Sequence, residues 1–484
     1  MKEFVELSPS LSIPRMLIGL WQIADIERKQ GVLDPKVAST FMQPYVENGF
    51  YAFDMADHYG SSEIITGTFK NNYSDAKKVK LFTKWVPEPG KVSREVVRTA
   101  VQRALDRMQQ STIDLMQFHA WHYPDPSYLD ALFYLDELRQ EGLIEHLGLT
   151  NFDAAHLRVV ASSGIAVVSN QVSHSVIDQR ANHTMREVCE DYNIKLLAYG
   201  TLAGGFLSNK WLDTPEPTEK ELSTWSQMKY KRFIDQAGSW ADFQRLLKSL
   251  HEVAQKHQTS IANVASRYIL ENPVVGAVIV GARLGENAHI EEHKACLSIS
   301  LDQEDLNCIQ DAQQRLRPIP GDCGDEYRKP PFLTASGDLS HHLESIPNAF
   351  EPVTVEEGHQ KVYSGTVWEG FAGYCRAVRK GNTIHVSGTT ATHENHQIGK
   401  GDAAAQTHFI IDKIEASITA LGGTLSDVVR TRIFVNELDD WEPVARAHGV
   451  RFKGIDPANT LVEARLVGEG YKVEIEAEAI VLPK

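Results

Sequence analysis

The chain has 484 residues, too many for one ordinary domain, and its 42% apolar and 23% charged content lets each of two or more cores bury a normal interior. Forty-nine basic side chains against 64 acidic give a formal charge of −15, and residues 361–484 are also slightly acidic. That balance argues against a nucleic-acid binder, which needs clustered Lys and Arg. No run approaches the roughly 20 apolar residues that span a bilayer. The first residues, Met1–Glu6, carry neither a secretory apolar core nor a transit-peptide bias. Cys189, Cys296, Cys308, Cys323 and Cys375 form no CxxC pair, so reduced thiols in a cytoplasmic protein are expected.

From residue 16 to about 281, short apolar runs alternate with longer helix-like segments. The runs are Met16–Trp21, Tyr51–Ala56, Val79–Trp85, Ile113–Phe118, His146–Thr150, Ala166–Val172, Lys195–Tyr199 and Val274–Val280. Eight β-like runs spaced by helices predict an α/β fold, a parallel sheet closed into a (β/α)8 TIM barrel over residues 1–316. Between the third and fourth runs, Val96, Ala100, Leu105 and Met108 predict one apolar helix stripe. Residues 317–360 hold six prolines and no sustained periodicity, as expected of a linker that starts by draping over the barrel. Over 361–484 the pattern changes. Tyr374–Val378 and Thr383–Ser387 flank a turn at Lys380–Asn382, reading as a hairpin. Ile411, Ile414, Ile418 and Leu421 form a helical stripe, and Val429, Thr431, Ile433 and Val435 a half-buried strand. A helix over Asp440–Phe452 and a strand with Val473, Ile475, Ala477 and Ala479 inward complete a smaller α+β domain.

Barrel active sites lie where strands end. There the sequence puts Asp54 and Tyr59 after the second run, Lys84 ending the third and His119 ending the fourth. Thr150 and Asn151 close the fifth, Gln171 lies in the sixth, Tyr199 ends the seventh and Arg283 follows the eighth. Four of these form a coherent acid–base device. A phenol with a pKa of about 10 is a weak proton donor at neutral pH. An adjacent ammonium stabilises the phenolate, so Lys84 can activate Tyr59, Asp54 can hold Lys84, and His119 can donate a hydrogen bond to a carbonyl oxygen. Neither His119 with His122 nor His393 with His396 has a carboxylate or cysteine at ligand spacing, so no metal is expected.

Phe53-Asp54-Met55-Ala56-Asp57-His58-Tyr59-Gly60, Thr83-Lys84, Gln117-Phe118-His119, Gly148-Leu149-Thr150-Asn151-Phe152, Asn170-Gln171, Ala198-Tyr199-Gly200-Thr201-Leu202 and Val278-Ile279-Val280-Gly281-Ala282-Arg283 run in an order that resembles the aldo-keto reductases over about 300 residues. The resemblance implies NAD(P)H-dependent reduction of an aldehyde or ketone, or the reverse oxidation, with Asp54, Tyr59, Lys84 and His119 as the catalytic tetrad. It implies cofactor contacts from Gly19, Leu20, Trp21, Thr150, Gly200, Leu202, Gly281, His289 and Glu292. Tyr199 would stack on the nicotinamide, and Asn151 and Gln171 would hold its carboxamide. The missing GxGxxG fits a barrel, whose phosphate sites lie near the last strands. Arg283 is placed for a 2′-phosphate, favouring NADPH, with NADH the alternative because His289 stands where a second basic residue is usual.

The tail resembles the Rid family of imine/enamine deaminase-like proteins, with a chorismate-mutase-like fold. The matching stretches are Ser387-Gly388, Gly401-Asp402 with Gln406, Leu421-Gly422-Gly423, Asp427-Val428-Val429-Arg430, Phe434-Val435, Pro457-Ala458 and Val473-Glu474-Ile475-Glu476-Ala477. Deaminase-competent members carry an arginine after the Pro-Ala pair to bind a substrate carboxylate; this chain has Asn459, which supplies no charge. The resemblance implies a homotrimer assembled through this domain. Two other functions remain open: a cofactor-sensing or metabolite-binding protein, and imine hydrolysis coupled to carbonyl reduction. Substrate choice is expected to lie in loops such as Phe206–Trp240, with Trp21, Trp85 and Trp121 as candidate pocket walls.

Overall fold

The computed structural model describes residues 4–23, 33–329, 342–343 and 346–482. A hairpin, β1 (Phe4–Ser8) and β2 (Leu11–Pro14), leads into eight parallel strands that close a barrel. These are β3 (Met16–Gly19), β4 (Ala52–Asp54), β5 (Lys80–Trp85), β6 (Leu115–His119), β7 (Leu147–Thr150), β8 (Val167–Ser173), β9 (Lys195–Tyr199) and β10 (Val275–Gly281), with β10 pairing both β9 and β3. Leu7, Leu11 and Ile13 of the hairpin pack with Leu17, Phe82, Leu115 and Leu197, plugging one end of the barrel. The other end, where the strands finish, stays open as a cavity.

The helix Arg94–Met108 starts after Ser93, whose hydroxyl accepts from the Val96 amide. Its buried stripe is Val97, Ala100, Val101, Ala104, Leu105 and Met108, while Val96 is half exposed. The predicted stripe was thus right at three positions, and Val96 faces outward because it lies in the first turn, one residue off the core-facing row.

Part of the segment expected to link the domains is structured. Asp325–Arg328 forms a single helical turn over the barrel mouth, and β11 (Val353–Glu356) and β12 (His359–Val362) pair with each other. Residues 330–341 and 344–345 of the expected linker lie outside the described residues. β12 pairs with β13 (Ala377–Lys380), which turns into β14 (Thr383–Thr389). A two-residue ribbon, β15 (Thr392–His393) and β16 (His396–Gln397), follows. With β17 (Val428–Val435), β18 (Ala458–Glu463) and β19 (Val473–Ile480), the sheet has seven strands in the order β11-β12-β13-β14-β19-β17-β18. It is antiparallel except where β18 runs parallel to β17. Helices Ala403–Ala420 and Trp441–Phe452 cover one face. Val429, predicted inward, is exposed because the register shifts between Val428 and Arg430, and Val428 takes the buried place.

Helix Ala403–Ala420 is buried on nearly every side. One face meets the sheet and the other meets the barrel helix Ala154–Ser162. Polar contacts tie the two bodies: Asp402 accepts from Arg158 Nη1 (2.7 Å) and the Tyr192 hydroxyl (2.5 Å), and His393 Nε2 lies 2.7 Å from Asp130. At the centre, the buried His156 ring is held by Asp153 at 2.6 Å and Asp412 at 2.9 Å. Burial alone would depress this imidazole, but the two carboxylates outweigh it and hold its pKa at about 9. Also facing it are Arg451 and His408 of the C-terminal domain and Tyr123, Tyr128 and Arg328 of the barrel side. Because the folded value lies above the unfolded one of about 6.5, this contact is at full strength below pH 6.5 and is lost as pH rises through about 9. Thermal melts are therefore expected to show stability declining across that window, with the decline reduced in His156→Gln; identical slopes in the two proteins would contradict this.

Candidate active site

The strand ends bring the predicted tetrad together. Lys84 Nζ donates to Asp54 Oδ2 at 2.6 Å and to the Met55 carbonyl at 2.8 Å, and sits 5.2 Å from the centre of the Tyr59 ring. Lys84 and Asp54 are both nearly inaccessible to solvent. Burial depresses the Lys84 ammonium, and Asp54 opposes that shift. The other Asp54 oxygen accepts from Gln117 Nε2 (3.0 Å) and Gln171 Nε2 (2.7 Å), and those two amides also bond each other at 2.9 Å. Asp54 is thus fixed from both oxygens. Tyr59 is half-buried, with the Trp21 and His58 rings edge-on at 5.0 and 4.8 Å.

His119 is buried, and desolvation, followed by the charge of Arg328, pushes its pKa well below the usual value, so the ring is neutral. Its Nε2 has no hydrogen-bond partner among the described residues. A neutral imidazole carries one N–H; with the proton on Nε2, this atom can donate to a ligand oxygen.

These groups share a cavity of about 780 Å3, large enough for a sizeable ligand. Of the predicted residues, Gly19, Trp21, Asp54, Tyr59, Lys84, His119, Thr150, Asn151, Gln171, Tyr199, Gly200, Leu202, Gly281, Arg283 and His289 line it. Leu20, Glu292 and the candidate wall Trp85 do not; Trp85 is buried against Phe118 instead. Leu20 is wholly buried, its amide bonded to the Asp54 carbonyl, and Glu292 is exposed, 3.4 Å from His289 Nδ1. Arg283 lies 3.6 Å from Glu286, a second lining residue.

A dinucleotide fits these walls. After Tyr199 the chain from Gly200 to Leu202, with Gly204 and Gly205, lines the cavity, and Gly200, Gly204 and Gly205 take positive φ there. At Gly200 (φ +73°) a Cβ would lie 2.0 Å from the Tyr230 hydroxyl, so no other residue suits that approach. Asn151 is itself left-handed (φ 60°), and its Oδ1 accepts from the Tyr199 hydroxyl at 2.7 Å.

Several wall residues carried no signal in the sequence. Tyr327, from the turn beyond the barrel, accepts from Lys229 Nζ at 2.6 Å and lies 5.8 Å from the His119 ring. Its neighbour Arg328 donates to the carbonyls of Ala120 (2.9 Å) and Asn151 (2.7 Å), tying together the ends of β6 and β7. The helix Trp225–Ala237, within the loop region expected to set specificity, lines the cavity with Trp225, Met228, Lys229 and Arg232.

In the C-terminal domain, Asn459 Nδ2 donates to Thr431 Oγ1, which also meets His448 Nε2, both at 2.9 Å. Glu474 differs from the other glutamates of β19. Glu476 and Glu478 pair with Arg432, whereas Glu474 packs against Gly388 and burial raises its carboxyl.

A closed eight-stranded barrel whose open end joins a buried Lys–Asp pair to a tyrosine and a neutral histidine defines an oxidoreductase barrel. The chain belongs to the aldo/keto reductase family, whose sequence model matches residues 15–314; residues 368–481 match the Endoribonuclease L-PSP model, making the C-terminal part a Rid/L-PSP domain. Membership implies a nicotinamide cofactor. Methylglyoxal reductase DkgA of Escherichia coli (strain K12) is 23% identical over 329 residues, covering 66% of this chain and 98% of its own. The NADH-specific methylglyoxal reductase of the same organism is 23% identical over 338 residues, covering 65% and 99%. Among solved structures, the glycerol dehydrogenase AKR11B4 from Gluconobacter oxydans matches 66% of this chain and 98% of its own, at 21% identity and a TM-score of 0.55. Rv2704 from Mycobacterium tuberculosis, described as a member of the YjgF/YER057c/UK114 family, is 40% identical over 25% of this chain and 99% of its own, with a TM-score of 0.23. Among the described residues, no helix is long and apolar enough to cross a membrane.

Proposed function

We propose that the barrel reduces a small aldehyde or ketone with NADPH, and oxidises the alcohol in reverse, with Tyr59 as proton donor. The observation that carries this reading is the Tyr59–Lys84–Asp54 cluster on the cavity wall it shares with His119, whose Nε2 has no partner among the described residues. When bound, the dinucleotide supplies hydride to the carbonyl carbon. As charge builds on the carbonyl oxygen, the Tyr59 hydroxyl gives up its proton, and the Lys84 ammonium stabilises the phenolate left behind. His119 orients the same oxygen through Nε2–H. Tyr199 would offer a ring face to the nicotinamide and Asn151 and Gln171 would hold its carboxamide, all three lining the cavity together with Trp21 and Trp121. Methylglyoxal is a suitable first substrate, and loss of reduced-nicotinamide absorbance is the readout. Dinucleotide binding without turnover on a carbonyl panel would favour the sensor reading instead.

Arg283 supports NADPH, but Glu286 beside it can accept from a free ribose 2′-hydroxyl, as acidic residues do in NAD sites. Arg283→Ala is expected to raise the KM for NADPH about tenfold or more, the scale of a lost charged hydrogen bond, and that for NADH less than about threefold. Equal changes would reject a 2′-phosphate role.

Trimerisation through the C-terminal domain belongs to the same reading. Val429 and Val462 on its sheet are half exposed and suit burial against further copies. Light scattering should give three chain masses; a single chain mass rejects the trimer. The thiols suit a cytoplasmic setting.

A further inference from the structure

The residues joining the two domains lead, contact by contact, to the cofactor wall. Asp412, on the C-terminal helix Ala403–Ala420, is fixed by Arg451 at 2.5 Å and reaches His156 Nε2 at 2.9 Å. The other nitrogen of His156 meets Asp153 at 2.6 Å, and Asp153 stands two residues after Asn151. A second path runs through stacked rings. His156 lies flat on Tyr123 (3.5 Å, 6° between planes), Arg328 packs over Tyr123 at 4.4 Å, and Arg328 donates to the Asn151 carbonyl. The Tyr123 hydroxyl also accepts from the Asp153 amide at 3.3 Å. Both paths converge on the left-handed turn that presents Asn151 to the cavity, a backbone state that persists only where its surroundings hold it.

We propose that the C-terminal domain completes the reductase's cofactor site, with Asp412 and His156 as positioning residues that hold the Asn151 turn in its binding shape. This rests on the reading above that Asn151 contacts the nicotinamide. A carboxylate supplied by the second domain anchors His156, and His156 in turn fixes both Asp153 and the Tyr123–Arg328 stack. The domains thus form one catalytic unit, and the fused domain has a role that does not depend on deaminase chemistry.

The test uses the full-length chain, with NADPH binding followed by tryptophan fluorescence and steady-state reduction of methylglyoxal. Asp412→Asn is expected to raise the NADPH Kd and KM roughly tenfold, within the usual range of coupling between sites, with kcat changed less than about twofold. Asp412→Glu should restore part of the affinity. Asp402→Asn is the control: it weakens the contacts with Arg158 and Tyr192 elsewhere on the same interface, keeps the helix cap, and should leave Kd unchanged. If Asp412→Asn does not fold, His156→Gln is read by the same criteria. Unaltered NADPH affinity in the folded variant overturns the proposal. So does an equal loss in Asp402→Asn, because it would mean that domain docking in general, not this path, sets affinity. Wild-type protein that binds neither NADPH nor NADH would instead overturn the reductase reading itself.

Discussion

Tyr59→Phe is expected to lower kcat for carbonyl reduction about a hundredfold to ten-thousandfold, the range ascribed to a positioned general acid, while the dissociation constant for NADPH stays within about twofold. Phenylalanine keeps the ring that packs against Trp21 and His58, so the cavity wall is preserved. What disappears is the one proton that Lys84 is placed to make available. Lys84 spends two hydrogen bonds on Asp54 and the Met55 carbonyl, and its charge lies against the Tyr59 ring. His119 does not substitute readily: its buried ring is neutral, and losing its only N–H proton would leave an anionic imidazolide in an apolar setting. Single-turnover rates with pre-bound NADPH separate this loss of chemistry from a binding defect. A variant within tenfold of the wild-type rate would remove Tyr59 from the mechanism.

The barrel was legible because parallel strands buried on both faces leave nearly continuous apolar runs. The runs His146–Thr150 and Lys195–Tyr199 fall on β7 and β9 to within a residue. Polar residues ending such runs stand out, so Asp54, Lys84, His119 and Tyr199 could be picked from the sequence and are found together. Their second partners could not. That Gln171 would give its amide to Asp54, or that Gln117 would bridge them, depends on the closed barrel bringing β4, β6 and β8 side chains inward. Tyr327 and Arg328 lie beyond the barrel in a proline-containing stretch with no periodicity, yet they reach the ends of β6 and β7.

In the C-terminal domain, what failed to show was edge structure and the partner of the buried helix. β18 reads Ala-Asn-Thr-Leu-Val-Glu and is mostly exposed, so it has neither an apolar run nor a clean alternation. β11 is likewise exposed at every position. On the helix Ala403–Ala420, Ile411, Ile414 and Ile418 make the apolar stripe, and nothing in the spacing of His408 and Asp412, which lie off it, marks them for burial. They are buried because a second body covers them. Sequence periodicity reports one hydrophobic stripe and is blind to a polar interface such as the one where Asp412 meets His156 and Arg451.

Lys84→Met tests whether the buried ion pair serves chemistry or folding, and the two answers can be separated. Removing the ammonium leaves the Asp54 carboxylate buried, with Gln117 and Gln171 still bonding it, and stranding one member of a buried pair costs about 3–5 kcal/mol. In this variant burial favours the protonated carboxyl of Asp54, lifting its folded pKa above the unfolded value of about 3.9. The folded protein then binds the extra proton, so its stability falls as pH rises through that raised value. Urea denaturation should accordingly show a smaller defect at about pH 5 than at pH 8. Adding Asp54→Asn removes the stranded charge and should recover most of the stability while the rate stays about a hundredfold or more below wild type, because nothing then stabilises the Tyr59 phenolate. If the double variant regained activity along with stability, Lys84 would be a structural cation and the proton-donor scheme would need another source of acidity. If Lys84→Met cost no stability at any pH, the buried pair would not be holding Asp54 in its charged form.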